Sequence, residues 1–126
     1  MTKTKGYLAY TQSNTEITKP EKLIEMLYEG ELRFISLAKR AIENGDMESK
    51  IKWINRSTEI FVELINSINY DGVDVAHYLS GLYNHQVQLL SKANINNTTE
   101  ELDIVLNVVK TLLETWKEET TFELAS

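Results

Sequence analysis

Thr18-Lys19-Pro20-Glu21-Lys22-Leu23-Ile24-Glu25-Met26-Leu27-Tyr28-Glu29-Gly30 is the stretch on which the fold turns. Thr18, three residues before Glu21, makes a capping-box pattern, and Pro20 stands in the first turn, where its missing N–H leaves no helical bond unmade. Apolar residues then recur at helical spacing as far as Asn44-Gly45, a C-terminal stop signal. The spacing predicts a helix over 19–44. Outward from it, Asp46 caps a second helix over about 46–69, closed by the turn signal Tyr70-Asp71-Gly72. Asp74 caps a third over 74–94, ending near Ala93-Asn94, and the capping box Thr98-x-x-Glu101 opens a fourth over 98–118, which reaches Trp116. Helices of ~20 residues joined by short connections imply an all-α fold, an antiparallel up-down-up-down four-helix bundle over 18–126. No strand signal and no internal repeat interrupts it.

Residues 1–17 are polar and Thr-rich, with Tyr7, Leu8 and Tyr10 as the large apolar exceptions. The segment has too little periodic apolar surface for a helix of its own. It reads either as a frayed tail or as a short arm that docks its tyrosines in a groove.

Composition narrows the function. Of 126 residues, 42% are hydrophobic and 25% charged, the balance of a single globular domain. There is no Cys, which excludes disulfides, thiolate nucleophiles and Cys-based zinc sites. Thirteen basic against 19 acidic residues, a net charge of −6, argue against a phosphate-backbone binder, so no nucleic-acid partner is expected. No apolar run approaches the roughly 18 residues of a membrane span, so no membrane insertion is expected either. The basic start Met1-Thr2-Lys3-Thr4-Lys5-Gly6 is not followed by an apolar stretch, and the expected compartment is the cytoplasm.

The apolar arcs are wider than one buried face requires. On the first helix Leu23, Met26, Leu27, Gly30, Phe34, Leu37 and Ala41 form one stripe. Ile24, Tyr28, Ile35 and Ile42 form a second beside it, and the whole arc spans ~200° against the ~100° that a surface helix needs. The second helix repeats the pattern: Ile51, Ile54, Phe61, Val62, Ile65 and Ile68 make one stripe, and Trp53, Ile60 and Leu64 another. The fourth carries Leu102, Val105, Val109, Leu112, Leu113 and Trp116, with Ile104 and Val108 to the side. Since one stripe per helix faces a shared interior, the second stripes are read as grooves for an amphipathic helix of a partner. Uneven packing, with the arm covering the excess, is the plainer alternative.

Chemistry is sparse. Asp74-x-x-His77 superficially resembles a di-iron Glu-x-x-His, but there is no second copy, Asp74 serves better as a cap and His77 falls on the polar face. No metal site, cofactor or catalytic set is expected. Gly30 and Gly81 stand alone within helices, so no phosphate loop exists. Glu31 lies within the first helix's apolar arc and is read as solvated at a groove edge.

The run Pro20 to Gly30 is similar to the signature "SPEKLVxMLYDGA" of the flagellin export chaperones, the FliS family. Tyr7 and Tyr10 resemble the paired tyrosines of that family's N-terminal arm, Ser67-Ile68-Asn69 its "SLN", and Asp74-Val75-Ala76 with Leu79, Leu82 and Tyr83 its "DIAxNLxxLYxY" segment. Ala93-Asn94 and Trp116 also fall where the family has them, so that the resemblance covers residues 7–118. Glu31 stands where the family usually has a small residue. The resemblance implies a cytosolic bundle, not an enzyme, that binds the disordered C-terminal segment of flagellin. It would prevent premature polymerisation and hand the client to the flagellar type III export apparatus. An export-gate component or a co-chaperone are further partners it implies. On this reading the client-binding residues are Tyr7, Tyr10, Ile24, Tyr28, Ile35, Ile42, Trp53, Ile60 and Leu64. The competing reading is a structural or adaptor bundle that self-associates through its second stripes.

Overall fold

The computed structural model describes residues 19–69 and 74–125. Four helices lie among them: α1 (Pro20–Glu43), α2 (Met47–Asn66), α3 (Asp74–Asn96) and α4 (Glu100–Ala125). The all-α expectation holds, and no strand occurs among the described residues. None of these helices is long and apolar enough to cross a membrane.

Pro20 occupies the first turn of α1, as its fixed φ favours, but the N-cap is Lys19 and its side chain makes no capping bond. Thr18 lies outside the described residues. The exit is a Schellman motif: Gly45 at φ +71° donates to Ile42 O (3.1 Å), and Asp46 N–H returns to Ala41 O (2.8 Å). Asp46 then starts α2, its carboxylate accepting from Ser49 N–H at 3.1 Å. Hence three residues, Asn44-Gly45-Asp46, both finish one helix and begin the next.

Several boundaries differ from the sequence reading. α2 ends at Asn66, where Ser67 N–H folds back on Glu63 O and Leu64 O, while α3 continues to Asn96. Asn97 then takes a left-handed φ of +54°. α4 begins at Glu100, so Thr98 sits ahead of the helix, where its hydroxyl donates to the Glu101 carboxylate. α4 runs on to Ala125, past the expected stop at 118.

The helices close a ring in which α1 packs on α2, α2 on α3, α3 on α4 and α4 on α1. Long-range bonds give their directions. Trp116 Nε1 donates to Glu21 O (2.8 Å) and Lys39 pairs with Asp103 (2.8 Å), so the start of α1 meets the far part of α4. Lys50, at the start of α2, donates to Asn94 O (2.9 Å) and Asn97 Oδ1 (2.6 Å) at the end of α3. Phe34 stacks on Trp53 across the short α1–α2 link, with centroids 5.5 Å apart. Neighbours are therefore antiparallel, and α1 and α3 run parallel across the diagonal.

The interior is built from Leu27, Ile35, Phe61, Leu64, Leu90, Leu102, Val105 and Val109. This corrects the assignment of stripes. Tyr28, Ile35, Ile60 and Leu64, read as outward-facing, are buried, whereas Ile51 and Val62, read as interior, are 46% and 42% exposed. The buried face of α1 (Leu27, Tyr28, Glu31, Ile35, Ala38, Ala41) runs between the two stripes and takes from both. At ~100° per residue its middle falls on Glu31. The corresponding middle of α2 falls on Ser57. Polar residues at the centres of two buried faces split each arc into apparent halves. Glu31 is thus not a solvated edge but 0% exposed.

Candidate functional site

At the bundle end where α1 and α3 begin and α2 stops, the four helices leave an open cavity of about 450 Å³. Each helix contributes an apolar side chain to its wall: Ile24 from α1, Leu79 from α3, Leu112 and Trp116 from α4, and from α2 Leu64, continued by Ile68 just beyond its end. Trp116 is fixed from two sides. Its indole N–H is bonded to Glu21 O, and its ring meets that of Tyr28 edge-on, at 6.4 Å and 83°. Val75 adds an exposed apolar side chain at the rim, and Glu119 is the one charged residue among the described residues that line the cavity.

Tyr28 and Tyr83 form the floor, their hydroxyls 2.6 Å apart and either one able to donate. Burial pushes the Tyr28 phenol up, partly countered by its bond to Tyr83. The Tyr83 phenol is held far above its ordinary value by burial first and Tyr28 second. Both stay neutral at any physiological pH, so the floor is a closed polar pair that offers no charge. A concave, largely apolar wall over such a floor can take up apolar side chains of a partner.

The structure brings together three of the nine nominated residues, Ile24, Tyr28 and Leu64. Ile35 and Ile60 are core. Ile42 and Trp53 are half-buried against the core away from this cavity, where Trp53 stacks with Phe34 and has the Lys52 ammonium 4.6 Å from its ring centroid. Tyr7 and Tyr10 lie outside the described residues, as does the Tyr70-Asp71-Gly72 turn. Ile68, Leu79, Leu112 and Trp116 were legible as apolar, but nothing in a one-helix pattern says that they converge. His77 is exposed, as its polar-face position implied, and no group of three potential metal ligands occurs among the described residues.

Known proteins share both the sequence family and the fold. The family model described as flagellar protein FliS matches residues 3–121. The chain belongs to the FliS family. This FliS-family chain is 53% identical over 114 residues to the flagellar secretion chaperone FliS of Campylobacter jejuni, covering 90% of this chain and 89% of that one. It is 35% identical over 112 residues to the protein of the same name from Bacillus subtilis, covering 89% and 84%. A solved structure described as a flagellar chaperone from bacteria superposes with a TM-score of 0.77 over 93% of this chain and 96% of its own, at 17% identity, a likeness of fold.

Proposed function

We propose that this FliS-family chain is a cytosolic chaperone that holds the disordered C-terminal segment of flagellin in the four-helix cavity, blocks its premature polymerisation and keeps it competent for flagellar type III export. The observation that carries this reading is the open apolar wall to which all four helices contribute, at Ile24, Leu64, Leu79, Leu112 and Trp116. An end-on cavity of this kind suits a segment whose apolar side chains would otherwise pack into neighbouring subunits. The names of its relatives, flagellar secretion chaperones, support an export client of that class. Of the nominated contacts, Ile24, Tyr28 and Leu64 remain in the proposed site. The role is binding and not catalysis.

The mechanism follows from coupled folding. The client settles its apolar side chains in the cavity and orders on contact, which costs ~2–5 kcal/mol or more, so the full interface extends beyond the cavity. The test is a titration with a flagellin C-terminal peptide, with circular dichroism to read helix gained on binding. Leu79→Asp, at the cavity wall, weakens binding at least tenfold, about 1.4 kcal/mol, while Ile51→Asp at the other end of the bundle leaves it unchanged. Equal peptide binding by a folded Leu79→Asp variant, or none by the unaltered protein, would remove the cavity as the client site.

A further inference from the structure

One turn beneath the tyrosine floor, the interior turns polar again. Glu31 on α1 and Gln86 on α3 each lie three residues beyond Tyr28 and Tyr83, on helices that run parallel, and Ser57 faces the same level from α2. All three are buried, Glu31 and Ser57 completely. Four of their oxygens have no hydrogen-bond partner: both carboxyl oxygens of Glu31, Ser57 Oγ and Gln86 Oε1. Gln86 directs its amide to Leu82 O of its own helix (3.1 Å), leaving its side-chain carbonyl for the interior.

Proton arithmetic decides what this layer holds. An ionised Glu31 would add a charge and two further acceptors to a cluster whose hydroxyl donor is the one proton of Ser57. A neutral Glu31 brings a second donor and no charge. Among the described residues no buried cation is left to pair with the anion. Among the described residues, the buried side chains of α4 are Leu102, Val105, Val109 and Leu113. Among the described residues, the titratable buried groups of the other helices are Tyr28, Tyr83 and Lys50, and Lys50 already serves Asn94 and Asn97 at the opposite end of α3. Burial accordingly pushes the Glu31 carboxyl well above the usual range. Ser57 eases this slightly, its hydroxyl close by but short of hydrogen-bond geometry.

We propose that Glu31, Ser57 and Gln86 form a proton-dependent latch: Glu31 is carried inside the bundle as the neutral acid, and loss of that proton loosens α1 against α2 and α3 directly beneath the cavity floor. The unfolded chain releases this proton near the ordinary glutamate value, whereas the folded chain holds it to higher pH. The latch is therefore fully stabilising below the ordinary value and its contribution declines as pH rises through the folded one. A partner that deforms the Tyr28–Tyr83 floor works against a bundle whose stiffness depends on proton supply. The inference needs no client and stands or falls without one.

The experiment uses the whole chain and its variant Glu31→Gln, which keeps shape without a titrating group. Urea unfolding between about pH 5 and about pH 7 is expected to shift the unfolded-to-folded ratio of the unaltered protein, relative to the variant, by up to about tenfold per pH unit. A ¹³C-carboxyl NMR titration is expected to place Glu31 far above the other glutamates. Amide exchange over residues 27–35, compared at equal pH, is expected to match in the two proteins at about pH 5 and to be faster in the unaltered protein at about pH 8. Parallel pH profiles, or a Glu31 that titrates with the other glutamates, overturn the latch. Should Glu31→Gln not fold, Glu31→Leu takes its place, since an apolar side chain of similar volume suits a buried site.

Discussion

The hydroxyl pair Tyr28–Tyr83 shows how a buried polar contact is costly to halve and cheap to remove whole. Each phenol is desolvated, and a single hydrogen bond of 2.6 Å joins the two hydroxyls. Tyr28→Phe strands the Tyr83 hydroxyl and should cost about 1–3 kcal/mol, the desolvation of one unpaired group. Tyr28→Phe with Tyr83→Phe removes both hydroxyls and should cost clearly less than the single change. Urea unfolding of the two variants decides it: a double variant weaker than the single one would mean that the pair contributes more than its own satisfaction. This pair was half legible. Both tyrosines stand out in the sequence, but the pattern places Tyr28 on the groove stripe, because helical spacing gives an angle around one axis and says nothing of what stands opposite.

Among the elements, the two glycines with open surroundings separate backbone from packing effects. A Cβ at Gly45 or at Gly81 meets nothing within 4 Å, so sterics decide neither case. Gly45 holds φ +71° in the turn that ends α1, where an L side chain costs roughly 1–2 kcal/mol, and Gly45→Ala should destabilise by about that much. Gly81 is an exposed position inside α3, and Gly81→Ala should stabilise by about 0.5–1 kcal/mol, by narrowing the unfolded ensemble and favouring helix. Thermal melts of both variants should move in opposite directions. The same sign for both would show that the Gly45 turn does not require a residue free to adopt positive φ. Stop and start signals were the most legible part of the chain, since Asn44-Gly45-Asp46 carries all of its bonding locally. The fourth helix starts two residues beyond the position its capping box predicts, because Thr98 and Thr99 are both good caps and the chain resumes its helix after the second.

For the molecule as a whole, the position of the interior is the testable claim. Phe61 is fully buried with its ring 6.1 Å from that of Tyr83, and its neighbour Val62 is 42% exposed, though both fell on one apolar stripe. Phe61→Ala should cost about 3–5 kcal/mol, and Val62→Ala within about 0.5 kcal/mol of nothing. Denaturant midpoints of the pair read this directly, and a Val62 cost comparable to that of Phe61 would return the interior to the stripe expected from sequence.

By itself the sequence determined the all-α class, the approximate extents of four helices, the local chemistry of the first link and the family, because caps, stops, periodicity and short motifs are each encoded within a few residues. Which apolar residues face inward was decided only by the tertiary structure. An arc of ~200° has more than one possible inward direction, and the choice depends on where three other helices stand. The cavity shares that origin: Ile24, Ile68, Leu79, Leu112 and Trp116 are far apart along the chain and meet because neighbouring helices run antiparallel. Glu31 makes the physical reason plainest. A carboxyl amid apolar neighbours reads as surface, since burying it costs free energy, yet it lies at the centre of the buried face of α1 because the residues on either side gain more by burial than it loses.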